Sequence, residues 1–522
     1  MAGYVVPVWE NKVAPCGGHN GCPAQTDIAA ALHALATGNT RQAWTIMMDS
    51  HPLRGTLGRV CYAFCEKPCN RGEFDAPISI QMLEAVIGDH GFDADWRPDV
   101  APRNGKKIGV IGAGPAGLTA AWFLNKAGFA VTVHEAEAEA GGVLRYGIPS
   151  YRLPKDVLAR ETALIAAAGV NFRFNEKVNG NNIETLIKKE GYDSLIVAIG
   201  AGIGRAAGIG GEDKCLHGLE LLHRINTEKT HDKTFDGKNV VVVGGGNVAM
   251  DACRSAIRLG ARNVTVLYRR DEASMPAHDF EVRHARQEGV VFDFLKAPVA
   301  YDGATLTVDV MALGAPDESG RRRPEKTGET AAYPADEVVM AIGQEPSHFD
   351  CGQSDAVHYA GDVIPTAEGT VIHAIAAGKK AAAAVARALT GQTLFPALGE
   401  EVPYARMNVS RYFHPRMRLR SSLEPASQRR SGFAPVERIV SLEEGVQEAN
   451  RCFRCGMCVG GLNSDCDWCF RACGSGGVAK LMVEWDPTAT MFERSDNCDS
   501  CGRCWGDCPR YVVTPVEVEE NE

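Results

Sequence analysis

Apolar residues in this chain arrive mainly as short unbroken runs, several of them followed at once by glycine. "KIGVI" (107–111), "NVVVV" (239–243) and the two segments "YDSLIVAIGA" (192–201) and "ADEVVMAIGQEP" (335–346) are such runs. Continuous Val- and Ile-rich stretches of this length predict strands buried on both faces, as in a parallel sheet covered by helices. Longer apolar segments between and after them predict the helices: "PAGLTAAWFLNK", "NVAMDACRSAIRLG" and the alanine-rich "TVIHAIAAGKKAAAAVARAL". Near the start, "ALHALATGNTRQAWTIMMDSHPL" also reads as largely helical. Residues 396–440, by contrast, are rich in Pro, Ser and Arg with no amphipathic period, and predict a linker lying over the surface.

The glycines after the strands add chemistry. Gly112, Gly114 and Gly117 follow "KIGVI" with G-x-G-x-x-G spacing, and Pro115 and Ala116 open the helix. The first glycine permits a tight turn, the second lets backbone approach a pyrophosphate, and the third lets helix pack on strand. Phosphate would then meet the helix N-terminus, where free N–H groups and the dipole favour negative charge. The next strand, "AVTVHE", ends in Glu135, at the distance expected for a ribose-binding carboxylate. The same grammar recurs at Gly244 and Gly246, continued by Asn247 and Val248, with Ala249 in the packing position. Here the second strand ends in Arg269 and Arg270. A guanidinium suits a 2′-phosphate, so NADP is favoured over NAD, unless these arginines only face solvent. The expected fold is α/β, with two nested Rossmann-like dinucleotide-binding domains for one flavin and one nicotinamide nucleotide. The Ala-Ile-Gly segments mark where the chain crosses between them.

Composition narrows the class. The length of 522 residues exceeds one hydrophobic core, and a net charge of −10 argues against nucleic acid and anionic lipid as partners. "MAGYVVPVWENKVAP" shows no leader pattern and no apolar run is long enough for a bilayer, so a cytoplasmic chain without membrane insertion is expected. Of 18 cysteines, five lie between Cys16 and Cys69 and ten between Cys452 and Cys508, at metal-like spacings that favour reduced thiolates over disulfides. Cys215, Cys253 and Cys351 are expected to be ordinary buried residues. "CDSCGRCWGDCP" is the C-x2-C-x2-C-x3-C-P run of two-cluster ferredoxins, whose fourth cysteine serves the other cluster. The expected sets are therefore Cys473, Cys498, Cys501 and Cys504 for one [4Fe–4S] cluster, and Cys458, Cys466, Cys469 and Cys508 for a second. Cys452 and Cys455 are then spare, or they replace Cys458 and one other ligand. Paired C-x2-C units also make zinc sites, which keeps a zinc reading open.

The segment "GGVLRYGIPSYRLPKDVL" (141–158), with Gly142 and Arg145, resembles the signature of glutamate synthase small subunits. Their relatives include the large subunit of NADH-dependent ferredoxin:NADP oxidoreductase and the flavin half of dihydropyrimidine dehydrogenase. The likeness runs over about residues 16–390 and includes "YRRDEASMPA". It implies FAD held by the first glycine turn, with Gly361 and Asp362 of "HYAGDV" at the flavin, and an N-terminal [4Fe–4S] cluster. Cys22, Cys61, Cys65 and Cys69 suffice for that cluster; Cys16 is left over. In some relatives a Glu or Gln replaces one cysteine, and Glu84 stands at that place, where an exposed helix carboxylate is the plainer reading.

The organisation that follows is 1–100, a helical iron–sulfur domain; 101–235 and 346–395, an FAD-binding domain in two parts; 236–345, an NAD(P)-binding domain. After the 396–440 linker comes 441–522, a ferredoxin-like module with two clusters. A nicotinamide gives two electrons as one hydride and a cluster takes one, so a flavin must stand between them. No catalytic acid–base residue is required. The expected activity is an NAD(P)H-dependent flavoprotein oxidoreductase acting as the electron-transfer subunit of a hetero-oligomer. Its redox partner would be a large catalytic subunit of glutamate synthase, 2-oxoacid oxidoreductase or sulfite reductase type, or a ferredoxin. The rival readings are a zinc-stabilised redox-sensing scaffold and a stand-alone flavin reductase of a small substrate.

Overall fold

In the computed structural model, residues 4–228, 233–317, 322–346, 349, 355–364, 367–460, 466–481, 486, 489–498 and 500–518 are described. The apolar runs form two parallel five-stranded sheets. The first has the order Val357–Tyr359, Ser194–Val197, Lys107–Ile111, Ala130–His134, Asn171–Arg173. The second runs Val291–Phe294, Asn263–Tyr268, Asn239–Val243, Glu337–Met340, Leu216–His217. All neighbouring pairs within them are parallel. In each sheet the strand order reverses beside a glycine-led strand, and that is where such sheets open a crevice at their carboxyl ends. The two Ala-Ile-Gly strands belong to different sheets, and the segments just beyond them, Ile203–Gly204 and Gln344–Glu345, pair antiparallel where the chain leaves one sheet and returns to the other. An antiparallel sheet, Lys296–Tyr301, Thr305–Pro316 and Arg322–Pro334, flanks the second unit.

The N-terminal helices Ile28–Ala36, Thr40–Met48, Arg54–Val60 and Ile80–His90 share one apolar core with the first sheet. Asp27 and Asn39 cap the first two by accepting the N–H of Ala30 and Gln42. Trp122 joins the two layers, fully buried, its Nε1 donating to the Met48 carbonyl at 3.3 Å.

The 396–440 linker packs into the surface it crosses. Val402, Met407, Val409 and Val436 are buried, and Ser422–Leu423 pairs with Glu437–Arg438. Its arginines face acids of the same chain: Arg418 meets Glu66, Arg411 meets Asp507 and Arg429 meets Glu288. Internal charge pairing decides its path, which the lack of apolar periodicity could not show. The helix that follows, Leu442–Ala449, carries a capping box: Ser441 Oγ accepts from the Glu444 N–H at 3.2 Å, and Glu444 returns its carboxylate to the Ser441 N–H at 2.9 Å. Ser441→Ala is expected to cost about 1 kcal/mol, read as a lower urea midpoint.

The opening strand Tyr4–Trp9 pairs antiparallel with Val513–Val518, so the two ends meet in one ribbon. Cys253 is buried and Cys215 is half-buried, while Cys351 lies outside the described residues. Among the described residues no helix is long and apolar enough to cross a membrane.

A pH response is built into the second unit. His284, on the Asp279–Gln287 helix, is held down to about 4 by burial first and by Arg254 next. The folded state thus binds fewer protons than the unfolded chain, whose histidine titrates near 6.5. The sign is fixed by that difference: stability present above about 6.5 is lost as pH falls toward 4. Melting temperature should therefore drop between pH 6.5 and 4, with a shallower slope in His284→Gln.

Candidate functional site: two glycine turns and four thiol groups

Steric facts at the first turn explain its glycines. Gly112 has φ +99°, and a Cβ there would sit 2.6 Å from the Ala198 carbonyl oxygen. A Cβ on Gly117 would come within 1.9 Å of the Gly112 carbonyl oxygen, whereas one on Gly114 would meet nothing within 4 Å. The middle glycine faces open space at the N-cap of helix Pro115–Lys126, where a phosphate would need room. Pro115 starts that helix and Ala116 is buried under it. Glu135 is buried directly after its strand. Its Oε2 accepts from the Ala113 N–H at 2.6 Å and its Oε1 from the Glu137 N–H at 2.9 Å. Burial pushes its pKa up, against those donors.

Gly142 lies against this turn, its would-be Cβ 2.9 Å from the Gly114 Cα. Arg145 braces the same loop, with Nε on the Ala140 carbonyl at 2.7 Å and Nη1 on Glu139 at 2.8 Å. Gly361 has φ +77° and packs on Ala116. Asp362 beside it buries an Oδ1 that has no hydrogen-bond partner among the described residues, and burial raises its pKa. A buried, unsatisfied acceptor is costly unless a donor arrives, and hydroxyls of a polyol chain are such donors. Sequence reading missed Gly378, in the helix Val371–Thr390. Its missing side chain lets that helix touch the backbone of the glycine-turn helix, since a Cβ would stand 2.1 Å from the Ala116 carbonyl oxygen. A lone glycine in an alanine run was the available signal.

The second turn repeats the pattern. Gly244 would press a Cβ to 2.1 Å from the Ala341 carbonyl oxygen, Gly246 faces open space, and Ala249 is fully buried. Asn247 Oδ1 accepts from the His278 N–H at 3.1 Å. Gly245, not singled out from sequence, leaves room for the Tyr268 ring at 2.6 Å. Arg269 is exposed; Arg270 is half-buried, with a buried Nε that has no partner among the described residues. A groove of about 760 Å³ runs from Gly246, Val248, Arg269 and Arg270 to Asp362 and Gly369 of the first unit. Its size suits a nucleotide.

The cysteines fall into four groups. Cys458, Cys466, Cys469 and Cys508 line one small cavity with Trp9, and Cys473, Cys498, Cys501 and Cys504 line another with Trp505. N–H groups point at these sulfurs: Gly477 to Cys473 at 3.0 Å, Met491 to Cys458 at 3.4 Å, Val512 to Cys508 at 3.4 Å. At the other end of the chain, the expected N-terminal set is divided. Cys22 and Cys61 stand beside Cys65, whose pKa is raised by burial and then by those two neighbours. Cys69 is elsewhere, lining a third cavity with Cys16, Cys452 and Cys455. A 3-10 turn at Phe64–Glu66 contains Cys65, and Cys69 is the N-cap of another at Asn70–Glu73. Glu84 is not an exposed carboxylate. It is buried beside Cys61, paired with Arg54 Nη1 at 2.8 Å and His51 Nε2 at 3.4 Å.

Among the described residues, no three His, Cys, Asp or Glu side chains gather closely enough to hold a single metal ion. Burial first, and the neighbouring thiols next, push the Cys16 and Cys65 thiols up.

Comparison with known proteins agrees with this architecture. Residues 106–368 match the pyridine nucleotide-disulphide oxidoreductase family, and residues 11–96 match dihydropyrimidine dehydrogenase domain II, 4Fe-4S cluster. The NADP(+)-dependent formate dehydrogenase subunit beta of Moorella thermoacetica is 36% identical, over 83% of this chain and 69% of that one. The NADPH-Fe(3+) oxidoreductase subunit beta of Geobacter sulfurreducens is 37% identical over 65% of this chain, which spans only 52% of that relative's length. The glutamate synthase [NADPH] small chain of Escherichia coli is 34% identical, over 63% and 74% of the two chains. The chain belongs to the pyridine nucleotide-disulphide oxidoreductase family, within its iron–sulfur flavoprotein branch that includes the glutamate synthase small chains.

Proposed function

We propose that this chain is the reductase subunit of a larger redox complex, moving electrons between NADPH and a protein partner through FAD and [4Fe–4S] clusters. When bound, FAD exchanges a hydride with the nicotinamide and single electrons with the iron–sulfur clusters. Residues 101–202 with 346–395 form the flavin domain, and 205–343, nested within it, the NADP domain. Strand Leu216–His217 and the side chains of Leu221, Leu222 and Phe235 belong to the second sheet and its core, and not to a flavin domain reaching to 235. Residues 1–100 and 441–522 carry the clusters on either side of the 396–440 linker. Gly112, Gly114 and Gly117 admit the flavin pyrophosphate, Glu135 orients the turn that meets the ribose, and Asp362 offers its unpaired oxygen to the ribityl hydroxyls. Gly244, Gly246, Asn247 and Val248 receive the other pyrophosphate, while Arg269 and Arg270 face its 2′-phosphate.

Three iron sites follow. Cys22, Cys61 and Cys65 hold one cluster with Glu84 as the fourth group, since its carboxylate is already buried beside Cys61. The ferredoxin-like module holds two more, on its two thiol-lined cavities. The observation that carries the reading is the single groove that joins Arg270 to Asp362. A nucleotide lying along it would bring its reactive end to the flavin side with water displaced. Full-length protein purified anaerobically should be brown, contain FAD and iron, and bleach on addition of NADPH. Colourless protein with stoichiometric zinc and no flavin would overturn the proposal. Co-purification from the native host identifies the partner subunit.

A further inference from the structure

The cavity lined by Cys16, Cys69, Cys452 and Cys455 lies outside the three iron sites above. Its thiols come from sequence positions almost 440 residues apart, yet they meet as a built site. Cys16, Cys452 and Cys455 are each nine-tenths buried or more. The walls are apolar, with Ile28, Leu32, Ile78 and Phe453 closing off water. Donors already point at two of the sulfurs: the Arg454 N–H reaches Cys452 Sγ at 3.3 Å, and Asn70 Nδ2 reaches Cys455 Sγ at 3.5 Å. The same Asn70 amide bonds the Val402 carbonyl at 2.8 Å, so its direction is set. Arg71 clamps the two ends from behind, donating to the Arg451 carbonyl at 2.8 Å with its guanidinium over the Phe453 ring.

From this geometry we infer that the four cysteines bind a further [4Fe–4S] cluster, one that ties the N-terminal helices to the ferredoxin-like module. Four thiolates in a dry pocket with N–H donors to sulfur are the donor set such clusters use. The inference rests on the iron–sulfur reading above and extends it by one centre. Position gives that centre a purpose. On one side Cys16 stands near Cys65 of the first iron site. On the other, Cys455 is three residues before Cys458 of the next cavity, and Gly456 hydrogen-bonds Lys12 and Arg510. The first iron site in turn borders the flavin helix: Phe64 meets His373 edge-on at 5.1 Å between ring centres, and Lys379 Nζ bonds the Ala24 carbonyl at 2.7 Å. The four thiol groups thus form a series from flavin to C-terminal module, and a cluster at Cys16, Cys69, Cys452 and Cys455 fills the step that would otherwise be a gap. Each electron enters from one neighbour and leaves to the other, so nothing else is consumed.

Iron and acid-labile sulfide, measured per FAD on anaerobic full-length protein, test this. The expected value is about 16 of each, four clusters of four. The double variant Cys452→Ala/Cys455→Ala should give about 12 while keeping FAD. Roughly 12 iron in the unsubstituted protein, alone or with one zinc, overturns the fourth cluster and leaves the other three. Equal counts in variant and unsubstituted protein overturn the ligand assignment. Absence of iron altogether overturns the functional proposal with it. Should the variant not accumulate, the unsubstituted count still decides between 16 and 12.

Discussion

Glu288→Ala should lower the stability of the second unit by about 3–5 kcal/mol, read from urea unfolding followed by circular dichroism. Glu288 is fully buried and takes three guanidinium groups. Arg254 meets it at 2.9 and 3.2 Å, Arg258 at 2.7 Å and Arg429 at 3.3 Å. Those arginines hold its carboxyl below the usual range in spite of burial. The network continues through Glu281 and Asp251 to Arg152, in the segment that follows the first glycine turn. Four arginines therefore share three carboxylates, and the Tyr151 ring stacks on two of the guanidinium groups. Alanine would leave four cations with two anions in a site that water does not reach. The cost comes from stranded charge more than from lost contacts, so Glu288→Gln, which keeps an acceptor, should fall between the two. Because Arg429 belongs to the 396–440 segment, the variant should also expose that segment to proteolysis.

What could be read from sequence was what neighbouring residues impose on one another. The turns at Gly112 and Gly244 were legible because the whole glycine pattern stands within a dozen residues, although the atoms that leave no room for a side chain there, the Ala198 and Ala341 carbonyl oxygens, lie just past the ends of the adjoining strands. The C-x2-C-x2-C-x3-C run likewise carries its spacing with it, and Cys498, Cys501 and Cys504 share a cavity with Cys473. Failure began where distant segments decide. Cys61, Cys65 and Cys69 look like one regular set, but Cys69 shares its cavity with Cys452 and Cys455 across some 380 residues. Spacing alone does not reveal that closure. The path of the 396–440 linker over the surface was hidden for the same reason, since Arg418 and Arg429 find their acids, Glu66 and Glu288, in remote segments. Glu84 looked exposed because its partner, Arg54, lies on a different helix.

Nucleotide preference offers the last expected result. Arg270→Ala should raise the KM for NADPH by roughly 10- to 150-fold, the value of a charged hydrogen bond of about 1.5–3 kcal/mol. The KM for NADH should stay nearly unchanged, because the missing guanidinium would have met only the 2′-phosphate. Arg270 is the stronger of the pair on structural grounds: its Nε is buried in the groove wall and has no partner among the described residues, so its charge is poorly screened. Arg269 is exposed, and its removal should cost less than about 1 kcal/mol, a share that disappears at high salt. Steady-state reduction of an artificial acceptor with each nucleotide measures both effects. If Arg270→Ala weakens NADH and NADPH equally, the side chain shapes the groove instead of reading the phosphate, and the preference for NADP would have to be sought in Asn247 and the loop from Asp271 to Pro276.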